Sequence, residues 1–194
     1  MGKTRLDINT RWTGILQKKL GNDYEVIEEG LGGRTTMFDD PRPEFKERNG
    51  LKILPIILES HLPLDYVILM LGTTDTKEMM NISSEKTTEG MRQLIQTVKT
   101  YKALEGTHSP KILIVVPAIV DEKAPFASKL FVGGTNKTKA LIKSYKKLAQ
   151  EEKISYLNPT SKINVDNEDG VHLTKESHKE LSELIYKKII EDLG

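Results

Sequence analysis

The stretch Tyr66-Val67-Ile68-Leu69-Met70-Leu71-Gly72-Thr73-Thr74-Asp75 decides the fold. Its first part is an unbroken, uncharged apolar run, and it reads as a strand buried on both faces. Small polar residues follow at once, so a loop stands at the strand's C-terminal end. Open α/β sheets bind their ligands at that edge. Lys111-Ile112-Leu113-Ile114-Val115-Val116-Pro117 repeats the pattern, and Ile154-Ser155-Tyr156-Leu157 is a shorter strand of the same kind. Tyr24-Glu25-Val26-Ile27-Glu28 also reads as a strand. It runs into a glycine-rich loop, Gly30-Leu31-Gly32-Gly33-Arg34-Thr35-Thr36.

Between these runs the apolar spacing becomes helical. Trp12, Leu16 and Leu20 share a face of a helix beginning near Arg11, and Leu51 to Ser60 is helical despite Pro55. Met91, Leu94, Ile95 and Val98 turn inward on a helix capped by Ser83 or Ser84 and reaching Leu104. Asn136 is the expected cap of a helix ending near Lys153, and a last helix carries Leu181, Leu184, Ile185 and Ile189 from Thr174 to Leu193. Strands alternating with helices predict an α/β fold: a three-layer α/β/α sandwich with a parallel sheet, in a single domain over residues 1–194. The connection 118–135 is long for a loop, which suits a lid or an oligomer contact. A homo-oligomer burying Phe126, Leu130 and Phe131 is therefore an expectation.

Composition narrows the function. The chain is 37% hydrophobic and 29% charged, with a net charge of +1. Such a balance gives no electrostatic case for nucleic acid or an anionic membrane surface, and no apolar run is long enough to span a bilayer. The absence of cysteine excludes disulfides, a thiol nucleophile and thiolate-held metals, and it fits the cytoplasm. His61, His108 and His178 have no partner at a metal-ligand spacing, so no metal is expected. Gly2-Lys3-Thr4 lacks the upstream glycine and strand of a phosphate loop. Gly30 and Gly32 fail to complete G-x-G-x-x-G because Thr35 holds the third position. No cofactor is implied, and nucleotide binding is the weakest of the functional readings.

Chemistry concentrates at Asp169-Gly170-Val171-His172, between the last strand and the last helix. A histidine can serve as general base near neutral pH. A carboxylate three residues earlier, across a glycine turn, can fold back and fix its tautomer. The glycine-rich loop can offer backbone N–H groups to a developing oxyanion, although three glycines also suit a tight turn with no ligand.

The order of these loops resembles the SGNH (GDSL) hydrolase superfamily, most closely its arylesterase and acyltransferase branch. The similar segments are Arg11-Trp12-Thr13-Gly14, Glu28-Glu29-Gly30-Leu31, Arg34-Thr35-Thr36, Asp39-Asp40-Pro41, Asn49-Gly50, Leu62-Pro63-Leu64-Asp65, Ile68-Leu69-Met70-Leu71-Gly72-Thr73, Phe131-x-Gly133-Gly134 with Lys137-Thr138, and Asp169-Gly170-Val171-His172. The resemblance implies cleavage of small esters through a Ser-His-Asp mechanism. His172 would be general base and acid, Asp169 its orienting carboxylate, and Gly33 N–H and the Thr74 side chain the oxyanion donors. It implies neither metal nor cofactor.

The chain departs from the family at two chemical positions. The Gly-Asp-Ser block that carries the nucleophile, expected on a first strand inside the sheet, does not occur in these residues, and no other serine replaces it. The domain is therefore expected to be N-terminally incomplete. Thr74, a shorter donor, also stands where the family has Asn. A non-catalytic product that keeps the pocket as a binding module is the competing expectation.

Overall fold

Three short parallel strands form the centre of the molecule in the order β1-β2-β3. They are β1 (Tyr66–Leu69), β2 (Lys111–Val115) and β3 (Ser155–Leu157). Leu69 stands opposite Ile114, and Val115 opposite Leu157. The structure is a computed structural model that describes residues 5–101 and 108–194.

Strand β2 shows why the run reads as apolar throughout. Ile112 and Ile114 point into one core with Leu54, Met91, Leu94, Leu141 and Tyr145. Leu113 and Val115 point the other way, toward Leu16, Leu181, Ile185 and Ile189. A period of two on a strand covered on both faces leaves no position for a polar side chain. The covering helices follow from this division. On the first face lie α2 (Gly50–Ser60), α3 (Ser84–Thr100) and α4 (Gly134–Glu152). On the second lie α1 (Trp12–Leu20) and α5 (Lys175–Leu193). The result is the expected three-layer α/β/α arrangement.

Caps fix several of the boundaries. Asn49, Ser83 and Thr174 each accept a backbone N–H of the first turn of α2, α3 and α5. Each such cap is typically worth about 1 kcal/mol. Helix α4 starts earlier than the expected Asn136 cap. Gly133 takes a left-handed conformation (φ +75°), and Gly134 N–H donates to Phe131 O at 2.7 Å, so the chain turns into the helix three residues sooner. Helix α3 ends at Thr100; Leu104, its expected end, and Gly2-Lys3-Thr4 lie outside the described residues. Residues Pro43–Arg48 wind into a 3₁₀ turn.

The expected strand over 24–28 forms no ladder. Its groups are held by side chains instead: Val26 N–H donates to Gln17 Oε1 at 2.7 Å, and Gln17 Nε2 donates to Tyr24 O at 2.9 Å. The physical reason is the lack of a neighbour. Strand β1 pairs only with β2 among the described residues, and its other edge carries no strand. Without the pairing only part of the segment reaches the core. Val26 packs into the second core, whereas Tyr24 and Ile27 are 37% and 38% exposed.

Candidate active site

The loop after β3 is pinned on two sides before it presents any chemistry. Asp166 N–H donates to His172 O (2.8 Å), and Asp121 N–H, from the segment after β2, donates to Gly170 O (2.9 Å). Gly170 has φ +74°, and a Cβ there would collide with Asp121 O, so only glycine fits. Asp169 closes the turn. Its Oδ1 accepts from Val171 N (2.8 Å) and His172 N (2.6 Å), and its Oδ2 lies 2.7 Å from His172 Nδ1.

Burial pushes the Asp169 carboxyl up, but the hydrogen bonds from the His172 side chain and backbone more than offset it, and the group ends below its usual range. An ionised Asp169 holds the proton on Nδ1 and leaves Nε2 as the free base. Nε2 has no partner among the described residues. The Asp169 side chain is 22% exposed and that of His172 53%, so the imidazole opens to solvent while its carboxylate is sheltered.

The other two expected site residues lie on loops that a single carboxylate joins. Asp75, fully buried, accepts from Thr36 N at 3.0 Å and from the Thr36 hydroxyl. This ties the glycine-rich loop to the loop after β1. Helices α2 and α3 approach that junction through Gly50 and Gly90: a Cβ on Gly50 would lie 2.6 Å from Thr35 O, and one on Gly90 would collide with Thr36. Gly33 has φ +82°, and its N–H donates to no described group. The Thr74 hydroxyl likewise has no hydrogen-bond partner among the described residues. Burial pushes the Asp75 carboxyl up to about 6, against the lowering effect of Thr36.

A second clamp lies beside it. Asp40 receives Arg42 at 2.7 Å and Lys77 Nζ at 2.9 Å, and the Arg42 hydrogen bonds hold its carboxyl well below the usual range despite burial. Sequence reasoning assigned no role to Asp75, Asp40 or Lys77. Their partners lie 39 and 37 residues away along the chain, a distance at which periodicity carries no signal.

The sequence pattern of the GDSL-like lipase/acylhydrolase family matches residues 2–180. The chain belongs to this family. Family members with solved structures share the whole architecture. A carbohydrate acetylesterase from Sinorhizobium meliloti is 38% identical with a TM-score of 0.90, over 98% of this chain and 89% of its own. The M. smegmatis aryl esterase is 38% identical with a TM-score of 0.89, over 97% and 88%. A carbohydrate acetylesterase family member from Sinorhizobium meliloti is 32% identical with a TM-score of 0.91, over 100% and 91%. No curated protein matches the sequence.

Within this family fold, His172 and Asp169 are in hydrogen-bond contact, and Gly33 and Thr74 stand on joined loops. No hydrogen bond links those loops to His172. No described serine hydrogen-bonds to His172 Nε2. Ser60 Oγ donates to Ile56 O, Ser83 caps α3, and Ser84 Oγ donates to Lys137 O. No group of three or more His, Asp or Glu with the geometry to hold a metal occurs among the described residues, and no helix there is long and apolar enough to cross a membrane.

Proposed function

We propose that this chain carries the base and oxyanion half of an ester hydrolase that acts on small carboxylic esters. The Asp169–His172 pair carries the reading, with Oδ2 to Nδ1 at 2.7 Å and Oδ1 locked by two backbone N–H groups. His172 Nε2 takes the proton of a serine hydroxyl as that oxygen attacks the ester carbonyl, then returns it to the leaving alcohol. Gly33 N–H and the Thr74 hydroxyl donate to the oxyanion. Loss of one such donor typically costs about 3 kcal/mol, so Thr in place of Asn weakens this side. Water completes hydrolysis, and a competing alcohol gives acyl transfer. The names of the related structures, an aryl esterase and carbohydrate acetylesterases, support small acyl groups.

The nucleophile belongs to a strand beside β1, whose free edge and unpaired neighbour 24–28 favour such an addition. A second reading rests on the same observation: without that strand the chain is a non-catalytic binding module. p-Nitrophenyl acetate hydrolysis separates them. Extending the chain with a strand that bears Gly-Asp-Ser should give turnover, and His172→Ala should lower it about 10³-fold or more. An inert extended protein that still folds would leave the second reading.

Self-association belongs to the proposal in altered form. Phe131 is 3% exposed, already packed with Val120, Ala124 and Ala127 in its own chain, so it is not available to a partner. Val132, 52% exposed, would take its place at a contact through the 118–135 connection. Sedimentation showing monomer alone at high concentration would remove this contact.

A further inference from the structure

Arg34 and Arg48 form a like-charged pair that ester cleavage does not use. Thr35 and Asn49 make a parallel bridge, with Thr35 N–H donating to Arg48 O (2.9 Å) and Gly50 N–H to Thr35 O (3.2 Å). The residues one step earlier, Arg34 and Arg48, therefore stand side by side on one face. Like charges placed opposite each other destabilise paired strands. Neither guanidinium has a carboxylate in salt-bridge contact among the described residues. Arg34 reaches only the backbone carbonyl of Glu29, whose carboxylate is engaged by His61 Nε2 at 2.8 Å.

Both Nε atoms are out of water and have no hydrogen-bond partner among the described residues. A buried unpaired donor of a charged group is costly, and an acceptor at the two neighbouring guanidinium groups would relieve that cost. The neighbouring cations show the contrast: Arg42 and Lys77 share Asp40. The Phe45 ring closes the site, with the Arg42 guanidinium 3.9 Å and that of Arg48 5.8 Å from its centroid. Burial pushes the Arg34 guanidinium down; the Glu29 charge opposes this and that of Arg48 adds to it. A bound anion would relieve both costs.

We propose that Arg34 and Arg48 together bind the carboxylate of a small organic acid, directly beside the Gly33 end of the candidate oxyanion loop. Two guanidinium forks match the planar, bidentate geometry of a carboxylate. If the carboxylate belongs to the ester itself, the favoured substrates are half-esters of dicarboxylic acids. That extension rests on the esterase reading; anion binding does not.

The test is a ¹⁵N NMR titration of the arginine Nε–H resonances in the 194-residue chain. The probes are succinate, monomethyl succinate and uncharged dimethyl succinate, at constant ionic strength in chloride. Saturable shifts of both resonances are expected with the two anions and not with the diester. Arg48→Gln should weaken binding at least about tenfold. Arg34→Gln is the second variant, with dispersed backbone spectra confirming that each folds. Non-saturating shifts, equal shifts with the diester, or full binding by both variants would overturn the proposal. Hydrolysis by the extended protein judges the esterase reading separately. Monomethyl succinate cleaved no faster than methyl acetate, with anion binding intact, would overturn the substrate extension alone.

Discussion

The two halves of the candidate site are secured by different means. The Asp169–His172 loop is closed by backbone: its turn is hydrogen-bonded to Asp121, bridged to its own far side through Asp166, and seated on α5. The Gly33 and Thr74 loops are closed by side chains, Asp75 and beside it the Asp40–Lys77 pair, at the end of a strand with a free edge. The carboxylates reflect the difference. Asp169 is held below its usual range by the histidine it orients, whereas burial pushes Asp75 up to about 6. Environments that drive two carboxyl groups apart commonly mark different duties. Asp169 is paired with His172, and Asp75 ties two loops together. The His172 loop is pinned largely by local and backbone hydrogen bonds, and the Gly33 and Thr74 loops rest on buried carboxylates, Asp75 and Asp40.

The largest expected effect breaks the rigid half. Gly170→Ala places a Cβ against Asp121 O at a positive φ and should cost about 3–4 kcal/mol in chemical denaturation. An unchanged midpoint would mean that the loop is not pinned as described.

The next sharpens the contrast through pH. With a pKa of about 6 in the folded protein, above the ordinary 3.8, Asp75 favours the folded state while protonated. Its contribution is therefore full below about pH 4, falls as pH rises toward 6, and is flat above, a loss of at most about 3 kcal/mol. Asp75→Asn should flatten this part of the stability profile. A profile identical to the parent's would show that Asp75 is not the titrating group.

Thr36→Val comes third. It removes the hydroxyl that faces Asp75 but keeps the backbone N–H bond, and should cost about 2 kcal/mol by leaving a buried carboxylate oxygen unpaired. The same substitution should leave the His172 ring resonances in place, because the two halves are joined by no hydrogen bond. Movement of those resonances would show that they are coupled.

The smallest effect concerns the sheet. Hydrogen exchange should be at least about tenfold faster at the free-edge amides of β1 than at β2, which is paired on both sides. Equal protection would mean that something already covers that edge.

The layers and the Asp169–His172 contact were legible in the sequence. Unbroken apolar runs become strands because both faces are covered, and the Asp-Gly-x-His spacing places carboxylate and imidazole in contact because a glycine turn reverses the chain between them. Two kinds of information were not local. Tyr24 to Glu28 reads as a strand by its residues, yet a strand also needs a partner, and pattern alone cannot supply one. Asp75 and Asp40 read as polar loop residues because their partners are remote in sequence. The Arg34–Arg48 pairing was equally hidden, since the Thr35–Asn49 bridge that aligns them spans a whole loop.

The account turns on whether the serine that His172 serves lies within these residues. Labelling with a fluorophosphonate, followed by mass spectrometry, decides it. The 194-residue chain should acquire no adduct, while the chain extended by a Gly-Asp-Ser strand should acquire one, on that serine, at a rate that collapses in His172→Ala. A His172-dependent adduct on any serine of the 194-residue chain would contradict the account.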